Sequence, residues 1–122
     1  MPRLGCTESL TLPWGSHLCA FYRSATELQH LVSSYIQTGL DDHEGCLWIL
    51  SPSLTPPMAT TALQRTIPHV HDHLRTGQLE LIPSWDWYHL SASLHTEEPF
   101  AACSRKLDQW AARFEGLRVT GD

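Results

Sequence analysis

The chain has 122 residues, with 8 lysines and arginines against 13 aspartates and glutamates and a formal net charge of -5. This length predicts one domain, and the scattered basic residues argue against direct contact with nucleic acid, which uses clustered lysines and arginines. No apolar run is long enough to span a bilayer, and the amino terminus lacks the pattern of a signal peptide, so a cytoplasmic location is expected.

The first part of the chain is an irregular lead-in. Pro2 and Pro13 interrupt regular structure over residues 1–13. Residues 14–122 then form the single predicted domain, because no low-complexity linker or internal repeat divides them.

A short buried strand is predicted at residues 17–22, which carry a histidine, a cysteine and a tyrosine among apolar residues. A helix follows directly, because Ser24 with Glu27 three positions later forms a capping box. Apolar residues then recur at spacings of three and four, which indicates one buried helix face. Gly39 is expected to end this helix.

The rest of the chain alternates between strand and helix patterns. Apolar runs at 46–50, 79–82 and 117–120 predict strands, and amphipathic stretches predict helices at 56–67, from 69 to about 77, and at 100–114. Pro68 is expected to break the second helix. This order predicts an α/β fold in three layers: a mostly parallel, Rossmann-like sheet of about four strands with helices on both faces.

Ligands of open parallel sheets bind beyond the carboxyl ends of the strands. The segments leaving those ends here are 22–24, 51–53, 83–88 and 120–122. We expect these four segments to meet in space.

His17 and Cys19 would point to the same side of a strand, and imidazole and thiolate both bind zinc or another transition metal. Two ligands do not complete such a site, so Cys46 and His43 would have to join them. The alternative is that Cys19 is a small buried apolar residue and His17 a hydrogen-bonded residue at a strand start.

An aromatic cluster follows the third predicted strand: Trp85, Trp87 and Tyr88, with Asp86 between them. Large aromatic residues on a connection either cap a core or line a pocket for a small organic molecule. The sequence carries neither a nucleophile elbow nor a phosphate-binding loop, and no acid–base spacing stands out, so we expect no enzyme activity.

Together these motifs resemble the MEDS domain, the sensory domain named after methanogens, methylotrophs and the dichloromethane-responsive repressor. The resemblance covers about residues 13–122, and four segments carry it in order: 13–22 (PWGSHLCAFY), 45–49 (GCLWI), 77–81 (GQLEL) with the aromatic pair 87–88, and 116–122 (GLRVTGD).

The resemblance implies a prokaryotic sensor of simple hydrocarbon derivatives with a RecA/KaiC-like core whose nucleotide-binding loop has been replaced. It implies signalling partners such as a histidine kinase or a DNA-binding protein. The His-x-Cys pair of the family falls on His17 and Cys19, and its aromatic motif on Trp87 and Tyr88. The family usually continues past its last motif with another helix and strand, so the expectations here are a truncated piece of a longer protein, a shortened stand-alone version or an incomplete fold that needs a partner.

The leading hypothesis is a ligand site in which His17, Cys19 and Tyr22 make polar contacts and three aromatic residues form the wall: Trp85, Trp87 and Tyr88. Arg118 would pair with an anionic group or serve as a structural cation. One alternative is a metal or redox sensor built on His17, Cys19 and Cys46. Another is an interaction module without a ligand, which forms a homodimer or docks a kinase.

Overall fold

Helices and strands alternate along the chain in the computed structural model, which describes residues 2–6, 10–87 and 101–121. Within these residues the elements are α1 Ala25–Asp41, β1 Gly45–Leu50, α2 Pro56–Gln64, α3 Val70–Thr76, β2 Leu79–Pro83, α4 Ala101–Ala111 and β3 Leu117–Gly121. One further helical turn covers residues 84–87. No helix in these ranges is long and apolar enough to cross a membrane.

The three strands form one parallel sheet in the order β2-β1-β3. Trp48 at the centre of β1 lies opposite Leu81 of β2 and Thr120 of β3. The predicted α/β fold with a parallel sheet is therefore confirmed.

Helices cover both faces of this sheet. Cys46, Trp48 and Leu50 of β1 point into the main core, which the apolar faces of α1, α2 and α3 complete. Leu47 is also fully buried, although it points to the opposite face. Glu80 lies beside Leu47 and accepts a hydrogen bond from Lys106 of α4 at 2.9 Å, which places α4 over that second face.

Side-chain caps start α1 and α2 where the sequence predicts them. Ser24 Oγ accepts from the Glu27 N–H at 3.1 Å, while the Glu27 carboxylate accepts from the Arg23 N–H at 3.0 Å. Thr55 caps α2, and the predicted break at Pro68 separates α2 from α3. The local signals therefore set the starts of α1 and α2 correctly, whereas α2 ends at Gln64 and does not extend to residue 67 as predicted.

The sequence predicts that Gly39 ends α1, but the helix continues to Asp41. A Cβ atom at Gly39 would lie 2.7 Å from Cys46 Sγ and 2.9 Å from Arg118 Cδ. The glycine therefore lets α1 approach β1 and β3 closely instead of terminating the helix.

Residues 17–22, here called the motif segment, form neither a helix nor a strand, although the sequence predicts a strand there. All six residues are exposed. The described sheet consequently has three strands, not about four. A strand requires a hydrogen-bonded neighbour, and the motif segment pairs with no strand in the described parts of the chain. Its apolar pattern alone was not sufficient to create one.

The lead-in is more ordered than predicted. Arg3 and Thr11 form an antiparallel bridge, flanked by bonds from the Leu4 N–H to the Leu10 carbonyl at 2.9 Å and from the Leu12 N–H to the Pro2 carbonyl at 3.0 Å. The lead-in lies against the amino-terminal end of the sheet, because its Leu4 and Arg3 carbonyls accept hydrogen bonds from Arg118 of β3.

Candidate functional site

An apolar cleft of about 530 Å³ opens where β1 and β2 end. Its volume lies within the range of small-molecule sites. The connection leaving β1, the start of α2 and the end of β2 supply its lining: Ser51, Pro52, Leu54, Thr55, Pro56, Pro83, Ser84 and Trp85. The cleft therefore occupies the carboxyl edge, as expected for a ligand of this sheet type.

Among the described residues that line the cleft, none has an ionisable side chain. Its polar groups are the hydroxyls of Ser51, Thr55 and Ser84, and Thr55 Oγ1 already accepts from the Met58 N–H at 3.4 Å. The adjoining helix begins with prolines 56 and 57, which have no N–H to offer an anion. This chemistry suits a small uncharged molecule with at most one or two hydrogen-bonding groups.

The predicted aromatic wall is divided between two clefts. Trp85 lines the apolar cleft and is 73% exposed. Trp87 is half-buried in a separate cleft of about 330 Å³, beside Glu80 and Lys106 on the α4 face. Tyr88 lies outside the described residues. Trp85 and Trp87 lie two positions apart in one helical turn, so their side chains point in nearly opposite directions.

The three polar residues predicted on the motif segment do not line the apolar cleft. His17, Cys19 and Tyr22 are all exposed on irregular backbone. The described conformation therefore does not join them to Trp85, and their assignment to a ligand site stays a prediction.

Arg118 is buried and engages all five of its N–H donors within the chain. Its Nε and Nη2 atoms donate to the Glu44 carboxylate at 2.8 and 3.2 Å. Its Nη1 and Nη2 atoms donate to the carbonyls of Leu4, Tyr35 and Arg3 at 3.1, 2.7 and 2.5 Å. No donor remains for an anionic ligand in this conformation.

Arg118 also lies at the wrong end of the sheet for the apolar cleft. It is the second residue of β3 and pairs with Cys46, the second residue of β1, so it belongs to the amino-terminal end. The guanidinium stacks over the Tyr35 ring with 4.6 Å between Cζ and the ring centroid. Through these contacts Arg118 joins the lead-in to α1 and β3.

The structure does not bring the three predicted metal ligands together. Cys46 is fully buried in the core, whereas His17 and Cys19 are exposed. Burial raises the pKa of the Cys46 thiol to about 12, so it is protonated near neutral pH, although metals bind the thiolate. His43 is exposed in the turn before β1. Over the described ranges, no three His, Cys, Asp or Glu side chains are grouped to hold a metal ion.

Cys19 and Cys46 should differ sharply in reactivity toward a thiol reagent. We expect Cys19→Ser to remove one equivalent from the fast labelling phase of the native protein with dithiobis(nitrobenzoate). Cys46→Ala should leave that phase unchanged, because Cys46 reacts only after the core opens. A loss of fast labelling in Cys46→Ala would contradict the buried position of this thiol.

Sequence reasoning identified the edge and Trp85 but missed three lining residues, Leu54, Thr55 and Pro56. A local signal was available, since the strand end at Ser51 is followed by a capping threonine and a proline-initiated helix. A helix that starts immediately after a parallel strand places its first turn at the ligand edge.

The family model of the MEthanogen/methylotroph, DcmR Sensory domain (MEDS) matches residues 16–122. This range includes the motif segment, the apolar cleft and all the strands of the sheet. No curated protein and no solved structure matches the chain. The RecA/KaiC-like core implied by the resemblance therefore stays a prediction.

Proposed function

Because the chain belongs to the MEDS family of sensory domains, we propose that it senses a small, uncharged organic molecule, which binds in the apolar cleft. The observation that carries this proposal is the cleft itself, which has a volume of about 530 Å³ at the carboxyl edge and is bordered by an exposed tryptophan. None of the lining residues that the structure describes is ionisable.

The chemistry of the lining supports a ligand of the simple hydrocarbon type. Leu54, the prolines and the Trp85 ring offer apolar contact, while the Ser51 and Ser84 hydroxyls can each exchange one hydrogen bond. A charged ligand would lose its hydration shell without gaining a countercharge in this lining.

The cleft also offers a route for a signal. Its lining joins the ends of β1 and β2 to the first turn of α2, so a bound molecule contacts three elements at once. In this proposal, a ligand that stabilises one arrangement of these elements changes the surface that the domain offers to a signalling partner. The partner is a histidine kinase, a DNA-binding protein or a second copy of the chain.

The proposal is tested with dichloromethane and methanol as uncharged probes and with formate and methylammonium as charged ones. The tryptophan indole N–H signals are followed by two-dimensional NMR, and Trp85→Phe assigns the signal of Trp85. We expect a saturable shift of the Trp85 signal with at least one uncharged probe, and none with the charged probes.

Two variants in the same helical turn form a matched pair for this test. Trp85→Ala should weaken binding at least about tenfold, which corresponds to ~1.4 kcal/mol. Trp87→Ala should bind like the wild type, because Trp87 lines the separate cleft. Equal losses in both variants, or saturable binding of formate alone, would refute this site.

A further inference from the structure

The separate cleft that Trp87 lines, here called the Trp87 cleft, takes no part in the proposed site. It has a volume of about 330 Å³, within the range of small-molecule sites. It follows β2, an edge strand of the described sheet, and the turn after it, and Lys106 of α4 also lines it. Pro83 lines both clefts, so the Trp87 cleft and the apolar cleft flank the same connection.

The described side chains of the Trp87 cleft carry more negative than positive charge. Glu80 and Asp86 are its acidic residues, and Lys106 is its basic residue. Lys106 Nζ donates to the Glu80 carboxylate at 2.9 Å, so these two charges neutralise each other. Asp86 is exposed, and in the described ranges it forms no ion pair with a lysine or arginine. One carboxylate at the cleft is therefore without a countercharge from these ranges.

Trp87 places an aromatic surface beside these charges. Its side chain is half-buried and lines the cleft together with the apolar residues Leu81 and Ile82. The electron-rich face of an indole attracts cations, and tryptophan is the best residue for such contacts. A cleft that combines an indole, apolar side chains and a carboxylate without a countercharge therefore suits a cation that carries alkyl groups.

We propose that the Trp87 cleft binds a small organic cation, an ammonium group that carries alkyl substituents. The charge of this cation pairs with the Asp86 carboxylate, and its alkyl groups lie against the Trp87 ring. The Glu80–Lys106 ion pair stays intact and connects β2 to α4 beside the bound molecule. The net charge of -5 on the chain also favours the approach of a cation.

Anions and uncharged molecules fit the Trp87 cleft less well. An anion would have to separate Lys106 from Glu80 to gain a countercharge, and it would then lie near the Asp86 carboxylate. An uncharged molecule would gain apolar contact with Trp87 but nothing from the charge of Asp86. Neither cleft requires the other to be occupied, so this proposal and the proposed function stand or fall separately.

Two-dimensional NMR of the full chain at constant ionic strength tests the site through the tryptophan indole N–H signals. The probes are tetramethylammonium chloride, the uncharged and similarly shaped tert-butanol, and sodium acetate. Trp87→Phe assigns the Trp87 signal, while the Trp85 signal reports on the apolar cleft. We expect a saturable shift of the Trp87 signal with tetramethylammonium alone. The absence of that shift, an equal response to tert-butanol, or saturation by acetate would overturn the proposal.

Three variants locate the charge that holds the cation. Asp86→Asn should weaken tetramethylammonium binding about fivefold, because it removes the carboxylate that pairs with the cation. Asp108→Asn makes the same change in net charge at an exposed position of α4 outside the described cleft lining, so it should bind like the wild type. Lys106→Met leaves the Glu80 carboxylate unpaired and should tighten binding. Equal affinities of Asp86→Asn and Asp108→Asn would overturn the proposal.

Discussion

Replacing Arg118 with methionine is expected to lower the free energy of unfolding by about 3–5 kcal/mol. The substitution leaves the Glu44 carboxylate buried without its countercharge, and it removes the donors to three backbone carbonyls. A loss of this size is a large share of the stability of an ordinary domain. Urea unfolding followed by circular dichroism measures it.

Two further variants distinguish the cost of an unpaired buried charge from the cost of lost packing contacts. Glu44→Gln combined with Arg118→Met should recover part of the loss, because no uncompensated charge then remains in the interior. Arg75→Met, which breaks an exposed ion pair with Asp72, should change the stability by less than about 1 kcal/mol. If Arg118→Met were as mild as Arg75→Met, the interpretation of Arg118 as a structural cation would be wrong.

Trp110→Ala is expected to cost about 3–5 kcal/mol of unfolding free energy. Trp110 of α4 is buried, donates from Nε1 to the Gly77 carbonyl at 2.9 Å and meets the Phe114 ring edge-on at 6.0 Å between centroids. Its removal leaves a cavity under α4 and takes away the indole N–H that donates to the Gly77 carbonyl at the end of α3. Thermal and urea unfolding both measure the loss.

The matched controls for this prediction are Trp110→Phe and Trp85→Ala. Trp110→Phe keeps a ring but loses the hydrogen bond, so a smaller cost of about 1–2 kcal/mol is expected. Trp85→Ala removes an exposed ring and should change the stability by about 0.5 kcal/mol or less. Equal costs for Trp110→Ala and Trp85→Ala would contradict the placement of α4 over the second face of the sheet.

The buried cluster around Arg118 lies at the end of the sheet opposite the apolar cleft. It joins the lead-in, α1, β1 and β3 at the amino-terminal end of the sheet, whereas the apolar cleft opens at the carboxyl end. Loss of Arg118 should therefore act through stability, and loss of Trp85 through binding. The two sets of variants distinguish folding from sensing in one protein.

The sequence by itself determined the order of most elements. The caps at Ser24 and Thr55, the break at Pro68 and the apolar runs of β1, β2 and β3 depend on residues close along the chain, so local patterns suffice. Alternation of strands and helices then predicted the parallel sheet and the edge at which a ligand binds. That edge does carry an apolar cleft bordered by Trp85.

The tertiary structure alone decided which residues meet. It placed Cys46 in the core apart from Cys19, turned Trp87 away from Trp85, and enclosed Arg118 with Glu44. These outcomes depend on contacts between residues distant in sequence, which local periodicity does not encode. The motif segment is the clearest case, because its own residues favour a strand, yet only a hydrogen-bonded neighbour makes one.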